Sequence, residues 1–495
     1  MKKNFHSNEQ TIIWSISALD NSAGAGIAAD IRTAAALGVH LCPVATAITA
    51  QNNQGVYAVC PASKEILEQQ CQSLLGEFFP SVIKVGLLPN REVVIWLAEF
   101  LKKIDVYVIA DTPLLSSSGG SLVADDVVDA IREYLLPQVH LLTPNYNEAL
   151  QLIQSKQNLN SVKDQEFADV LLGCGIGALY LKGGHAPESE NEKCKVKVHD
   201  FFADHKQRYY LSSQKIDKDL RGTGCILATA VACFLAKKND LSEAIVLAKD
   251  FINQQYSHSQ LIGSRHYAES FELQDPNDLS LPRISQFIEP LCENFKAIEE
   301  IGFYPIVEDT ALIKPLLELG IKTIQLRVKG KVLVEVEQMV KDADQLCKEK
   351  NAQLFINDYW QLAIKYNCFG VHLGQEDLLT ADLVAISTAG LRLGLSSHSY
   401  EEAARILAIK PSYVALGPIF ETTCKSMRFG PQGFEKLAIW KRIFPNTPIV
   451  AIGGLKRQHV TELKKYKVNG VAVISDVVKD AEPLKAAAEW LSLLH

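Results

Sequence analysis

Eight short apolar runs recur between Ile301 and the C-terminus, with helical stretches between them. They are Phe303–Val307, Thr323–Leu326, Gln353–Ile356, Gly370–Leu373, Arg392–Leu395, Tyr413–Leu416, Ile449–Ile452 and Gly470–Ile474. Runs this short read as parallel strands buried on both faces. Val336, Met339, Val340, Ala343 and Leu346 keep helical spacing, and Ser399-Tyr-Glu-Glu402 predicts a capping box at a helix start. About eight βα units in roughly two hundred residues predict a closed (β/α)8 TIM barrel. A doubly wound sheet, the rival architecture, rarely sustains so regular a beat.

Two of these runs stop at acidic residues. Phe355-Ile-Asn-Asp358 is followed by Gly370-Val-His-Leu-Gly-Gln-Glu-Asp377, so neighbouring strand ends carry Asp358 and Asp377. A third run, Thr323-Ile-Gln-Leu-Arg-Val-Lys329, ends in amide and cationic groups. Ligands of α/β folds bind at the carboxyl ends of the strands. Two carboxylates beside Arg and Lys there predict a hard metal ion shared with a phosphate-bearing ligand.

The chain has 495 residues, too many for one ordinary domain. A segment containing Gly263, Pro276, Pro282 and Pro290 loses the alternation and reads as a joint. The predicted division is 1–270 as an open-sheet domain, 271–296 as linker and 297–495 as the barrel. A formal net charge of −7 without a long basic run argues against nucleic acid. The apolar stretch Thr11–Leu19 is too short to span a membrane and reads as a first strand. Cysteines without CxxC pairs or zinc spacing point to reduced thiols in a cytoplasmic protein. The expected partners are small anionic molecules, and the sequence leaves a homo-oligomer open.

The first half alternates less evenly. Strands are predicted at Thr11–Ala18, Val39–Ile48, Ser81–Val85, Val106–Ala110, His140–Leu142 and Gly177–Leu181, with Val196–Phe202 and Arg208–Ser212 as a hairpin. That pattern predicts a mostly parallel sheet with helices on both faces and an antiparallel extension. Asp20-Asn-Ser-Ala-Gly-Ala-Gly26 joins the first strand to a helix. A dinucleotide fold fails here, because Ala29 takes the third glycine position and no acid lies between Asp30 and Glu65 to hold a ribose. Arg221-Gly-Thr-Gly-Cys225 precedes the small, apolar run Ile226–Ala236, a predicted buried helix. Free N–H groups at such a start suit a phosphoryl oxygen, although the same residues also make an ordinary tight turn. A thiol there is expected to have a lowered pKa and to act as base or hydrogen-bond partner.

In order along the chain, these motifs resemble the hydroxymethylpyrimidine and phosphomethylpyrimidine kinases of the ribokinase superfamily. The resemblance covers about residues 11–265. It rests on Asp20…Ser22-x-Gly24-Ala-Gly26, Thr46-Ala-Ile-Thr-Ala-Gln51-Asn52, Lys84-Val-Gly86, Asp111, Leu142-Thr-Pro-Asn145…Glu148, Lys182-Gly-Gly-His185 and Gly222-Thr-Gly-Cys225. It implies a ribokinase-like fold with ATP as phosphoryl donor, and Asp20 and Gln51 on the pyrimidine side. Asp111, Glu148 and Lys182 would lie on the Mg-nucleotide side, and Gly222, Gly224 and Cys225 would form the anion hole. Ala28, Ser117, Arg221 and Ile226 depart from residues usual in the family: Gln, Lys, His and a hydroxyl residue. Arg221 offers a charge near the hole in place of the one Ser117 lacks. A binding-only domain is the alternative these departures raise.

The barrel half resembles thiamine-phosphate synthase over about Ile301 to Leu494. The matching residues are Gln325-Leu-Arg-Val-Lys329, Asn357-Asp358, Gly370-Val-His-Leu-Gly-Gln-Glu-Asp377, Ser396, Thr422…Lys425, Gly453-Gly454 and Ile474-Ser475. By that resemblance Gln325, Leu326, Arg327, Val328, Lys329, Asn357, Ser396 and Lys425 would hold an aminopyrimidine diphosphate. Asp358 and Asp377 would bind Mg²⁺, with Arg327 and Lys425 helping pyrophosphate leave. Thr422, Thr423, Cys424, Gly454, Ile474 and Ser475 would cradle the phosphate of a thiazole partner. Cys424 stands where a hydroxyl is usual, and a thiol is a weak donor. Together the two resemblances imply a bifunctional enzyme of thiamine biosynthesis.

Overall fold

The computed structural model describes residues 11–114, 123–153, 162–185, 197–268, 273–288, 295–422 and 429–494. The chain divides into two compact units. One runs to Gln274 and takes in Leu279–Ile288; the other takes Asp275–Asp278 and the chain after Ile288. Among the described residues no helix is long and apolar enough to cross a membrane.

The first unit is built on a ten-stranded sheet. Its strands are β1 (Ile12–Asp20), β2 (His40–Gln51), β3 (Val56–Pro61), β4 (Val82–Val85), β5 (Tyr107–Ala110), β6 (Leu141–Leu142), β7 (Ala178–Leu181), β8 (Lys197–Asp204) and β9 (Arg208–Gln214). Two short strands, β10 (Gln260–Ile262) and β11 (Arg265–Tyr267), pair only with each other, and β12 (Arg283–Ser285) completes the main sheet. The sheet order is β12-β9-β8-β7-β6-β5-β4-β1-β2-β3. Strands β2, β1, β4, β5, β6 and β7 are parallel, and β8, β9, β12 and β3 extend the sheet antiparallel. This is the mostly parallel sheet with an antiparallel extension that the sequence pattern predicts. Strand β3 escaped the sequence pattern because none of its residues is buried, so it has no apolar face to alternate. Strand β12 falls inside the predicted joint and pairs through Ile284 with Leu211 of β9.

The second unit is the closed barrel: β13 (Gly302–Val307), β14 (Thr323–Leu326), β15 (Gln353–Asn357), β16 (Gly370–Leu373), β17 (Arg392–Ser397), β18 (Tyr413–Leu416), β19 (Ile449–Ile452) and β20 (Gly470–Val473). Strand β20 pairs back to β13 through Gly302 and Gly470, so no edge is left unpaired. The predicted strands match within two residues, because four fully buried residues between helices leave the backbone no other partner. At Ser399 the capping box is half realised. Ser399 accepts from Glu402 N, but the Glu402 carboxylate takes His398 N at 2.6 Å and His398 Nδ1 at 2.8 Å.

Aromatic rings fill the barrel at two glycines. A Cβ on Gly370 would lie 2.5 Å from the Phe355 ring, and one on Gly394 would lie 2.2 Å from the Tyr413 ring. Phe355 and Tyr413 meet edge to face with centroids 5.2 Å apart. Gly394→Ala should therefore destabilise the barrel by about 1–3 kcal/mol through overpacking. A lowered urea midpoint with an unchanged slope would bear this out. Gly430→Ala, which meets nothing within 4 Å, is the neutral control; equal midpoints for the two variants would contradict the packing argument.

Candidate functional sites

Each unit collects polar groups where parallel strands end. In the first, a cavity of about 590 Å³ is lined by residues that include Asp20, Gln51, Asp111, Glu148, Lys182, Arg221 and Gly222–Cys225. Asp111 follows β5, Glu148 sits in the first turn of the helix Tyr146–Leu152 after β6, and Lys182 follows β7. Lys182 Nζ lies 2.6 Å from Asp111 and 3.8 Å from Glu148. Glu148 also completes a capping box with Asn145. Burial favours a neutral Asp111, but Lys182 and Lys84 outweigh it and hold this carboxyl below the usual range. For Glu148, burial and the negative Asp111 prevail over Lys182 and raise it. Burial works against the Lys182 charge, yet the two acids keep its pKa above the ordinary value.

Facing this trio is the turn before the helix Thr223–Ala236. Gly222 caps it at φ 75°, a left-handed conformation that an L side chain rarely adopts, and a Cβ there would strike the Gly24 carbonyl at 2.2 Å. A Cβ on Gly224 would lie 2.9 Å from Lys182 Nζ and 3.2 Å from Asp111. The helix thus begins three residues earlier than the apolar run suggested. Its free N–H end abuts the cation and the acid directly, so the residues expected to form an anion hole and those expected on the nucleotide side share one place.

Cys225 departs from expectation. Burial pushes its thiol up to about 12, with Asp30 and Asp111 adding to the rise against the opposing effect of Lys84. The charge environment at this helix start is not simply positive, and desolvation outweighs the dipole. A neutral thiol can donate a hydrogen bond, but it cannot serve as a base near neutral pH. Beneath it is an ion pair that sequence reading did not single out: Lys84 and Asp30, both fully buried, at 2.9 Å, with Ser15 and Thr229 also donating to Asp30. A lysine inside the apolar run Val82–Val85 was the available signal.

Arg221 has partners that the sequence did not indicate. Its guanidinium donates to Asn52 O at 2.7 Å, Gln51 Oε1 at 3.1 Å and Asp20 Oδ2 at 3.3 Å, at the ends of β1 and β2. Gly24 makes room for it, since a Cβ there would lie 2.3 Å from Arg221 Cδ. The Asp20 carboxylate also accepts from Ser22, Gly24 and Ala25. Asp20 therefore shapes the loop and holds Arg221, while Gln51 is left to face the cavity.

In the barrel, Gln325, Asn357, Asp358, Asp377, Ser396, Thr422, Gly454, Ile474 and Ser475 all lie at or just beyond the carboxyl ends of β14 to β20, as do Arg327 and Lys329. Thr423, Cys424 and Lys425, like Ser117 in the first unit, lie outside the described residues. The side chains of Leu326 and Val328 are 1 % and 3 % exposed and belong to the packing, which leaves only their backbone for a ligand. Asp358 adopts a left-handed φ of 67° and pairs with Lys329. Asp377, in the short helix Gln375–Leu378, has its carboxyl raised by burial, then by the like charge of Asp358, with Lys329 opposing.

No group of three or more His, Cys, Asp or Glu side chains capable of holding a metal alone occurs among the described residues. The two adjacent carboxylates nonetheless fit Mg²⁺, which takes one or two carboxylates and completes its shell with water and phosphate oxygens. Their mutual repulsion is what a divalent cation would relieve.

That repulsion has a sign that can be measured. A raised carboxyl contributes stability below its unfolded pKa and loses it as pH rises through the folded value. Asp377→Asn should therefore melt higher than the parent near neutral pH with chelator present. The gain should stay under about 1 kcal/mol at this half-open site and vanish below about pH 4. A lower melting temperature for the variant at neutral pH would contradict the placement of the pair.

Comparison with known proteins gives two family matches. The model described as phosphomethylpyrimidine kinase matches residues 20–269, and that described as thiamine monophosphate synthase matches residues 304–477. A thiamine-phosphate synthase of Photorhabdus laumondii is 47% identical over 198 residues, covering 39% of this chain and 90% of that protein. A thiamine biosynthetic bifunctional enzyme of Arabidopsis thaliana, described as chloroplastic, is 29% identical over 94% of this chain and 89% of its own length. The solved phosphomethylpyrimidine kinase of Clostridium difficile 630 is 28% identical, with a TM-score of 0.43 over 49% of this chain and 98% of that one.

Proposed function

The chain belongs to the phosphomethylpyrimidine kinase and thiamine-phosphate synthase families, joined in one bifunctional transferase of thiamine biosynthesis, and we propose the following chemistry for its halves. We place the passage between the domains 1–270 and 297–495 in the segment 271–296, part of which, β12, is also a strand of the first unit's sheet. The first domain uses Mg-ATP to phosphorylate hydroxymethylpyrimidine and then its monophosphate, giving the diphosphate. Gln51 contacts the pyrimidine, with Arg221 fixing the direction of its amide. Gly222, Gly224 and the neutral Cys225 thiol offer hydrogen-bond donors to the phosphoryl group in transit, beside Lys182. The intact Asp111–Lys182–Glu148 cluster supports a working kinase over a binding-only domain.

In the barrel, Arg327, Lys329, Asn357 and Ser396, with Lys425, hold the pyrimidine diphosphate. Mg²⁺ bound by Asp358 and Asp377 would neutralise charge on the diphosphate oxygens. Pyrophosphate departs with the C–O bonding pair, and the aminopyrimidine ring delocalises the resulting cation. The thiazole nitrogen, positioned by its phosphate against Thr422, Thr423, Cys424, Gly454 and Ile474-Ser475, then attacks that carbon to give thiamine phosphate. No protein nucleophile is required. The observation that carries this reading is the meeting of Lys329, Asp358 and Asp377 at neighbouring strand ends. The thiols, with Cys42, Cys71, Cys233, Cys347 and Cys368 free and buried, fit a reducing cytoplasmic setting.

Purified protein should make thiamine phosphate from hydroxymethylpyrimidine, Mg-ATP and thiazole phosphate, and also from supplied pyrimidine diphosphate without ATP. Product only in the second reaction would rule out the kinase assignment, and product in neither would rule out both. Asp358→Asn should lower the second rate by about 100-fold or more while leaving ATP-dependent formation of the diphosphate intact.

A further inference from the structure

A continuous chain of side-chain hydrogen bonds crosses the interior of the barrel. Gln325 Nε2 donates to the Tyr304 hydroxyl at 3.1 Å, and Tyr304 meets the Tyr413 hydroxyl at 2.9 Å. Tyr413 lies 2.8 Å from His372 Nδ1, and His372 Nε2 lies 2.9 Å from Ser396 Oγ. The inner members are sealed from water: Tyr413 is 0%, Tyr304 1% and His372 5% exposed. The ends, Gln325 and Ser396, are two of the residues assigned to the pyrimidine diphosphate. The three residues between them have no role in that assignment.

Each link constrains the next. Burial raises both phenol pKa values, so both hydroxyls keep their protons. Each hydroxyl supplies one proton, and a neutral imidazole has one donor and one acceptor nitrogen. With Gln325 donating through its NH₂, Tyr304 donates to Tyr413 and Tyr413 donates to His372 Nδ1. His372 Nε2–H then donates to Ser396, whose own proton points outward. The chain so set presents a carbonyl acceptor at Gln325 and a hydroxyl donor at Ser396. Flipping the Gln325 amide reverses every link, giving a donor at Gln325 and an acceptor at Ser396. Mixed states leave one buried link with two protons or none, at a cost of about 1–3 kcal/mol.

We propose that Tyr304, Tyr413 and His372 are specificity-determining positioning residues that make the two ends of the site recognise one ligand as a unit. An anion at Ser396 requires the outward proton and thereby selects the polarity in which Gln325 presents its carbonyl. That carbonyl accepts from an exocyclic amino group on the heteroaromatic ring. An analogue with an oxo group in place of the amino demands the opposite polarity at Gln325 and conflicts with its own diphosphate. This inference rests on the synthase reading and adds a reason for its preference for an aminopyrimidine.

The test compares the dissociation constants of the amino diphosphate and its oxo analogue with Mg²⁺, a comparison that the ring's ability to carry the cation does not enter, in the parent, Tyr304→Phe and Tyr413→Phe. The parent should favour the amino compound by about 100-fold or more. Each Phe variant cuts the chain and frees the Gln325 amide to turn, so the preference should fall to within about tenfold. Loss of affinity for both compounds in equal proportion, with the preference intact, would mean the tyrosines are only structural and would overturn the proposal. If one variant fails to fold, the other decides, and His372→Gln provides a third cut. A parent that fails to couple the amino diphosphate with thiazole phosphate would overturn the synthase reading itself, whereas a parent that binds both compounds equally would overturn only the chain. The two failures are therefore distinguishable.

Discussion

Charge gathered at the ends of parallel strands must be balanced, and both halves of this protein are organised by that constraint. A parallel sheet or barrel delivers the last side chain of every strand to the same edge. Acids arriving from neighbouring strands repel each other unless a cation comes with them. Lys182 stands between Asp111 and Glu148, Arg221 holds Asp20, and Lys329 holds Asp358. Where the balance is incomplete, at Asp377, the carboxyl is pushed up. An incompletely balanced acid pair is what an incoming cation and phosphate can complete. In the function proposed, the same imbalance that costs the free protein stability favours a bound cation.

The two halves meet this constraint with different scaffolding. The open sheet places a helix N-terminus at Thr223 against the charged trio, so backbone dipoles supplement the side chains. The barrel uses its interior as well as its rim. Tyr304, Tyr413 and His372 carry hydrogen bonds beneath the mouth, and Gly394 leaves space for the Tyr413 ring that links them. Specificity at the rim is thereby tied to packing underneath, and a change in the core can reach the ligand without touching it.

Much of this was legible in the sequence, and the exceptions share a cause. Barrel strands such as Tyr413–Leu416 were readable because burial on both faces leaves only apolar residues. The strand-end positions of Asp358 and Asp377 were readable because an acid closes each apolar segment. What could not be read was pairing between side chains far apart in the chain. Arg221 engages Asp20 across 201 positions, and Lys84 meets Asp30 across 54. For Cys225, a local rule about helix starts gave the wrong direction. Burial and the acids around the thiol, which only the fold brings together, outweigh the dipole. The exposed strand β3 was invisible because its pairing is made by backbone alone.

The central claim is that Asp358 and Asp377 hold a divalent cation together with the leaving diphosphate. Calorimetric titration of the full chain with magnesium pyrophosphate, repeated with Asp358→Asn and Asp377→Asn, tests it most directly. Pyrophosphate should bind the parent tightly only when Mg²⁺ is present, and either substitution should remove most of this Mg²⁺-dependent gain. Equal affinity with and without Mg²⁺, or variants that retain the full gain, would contradict it.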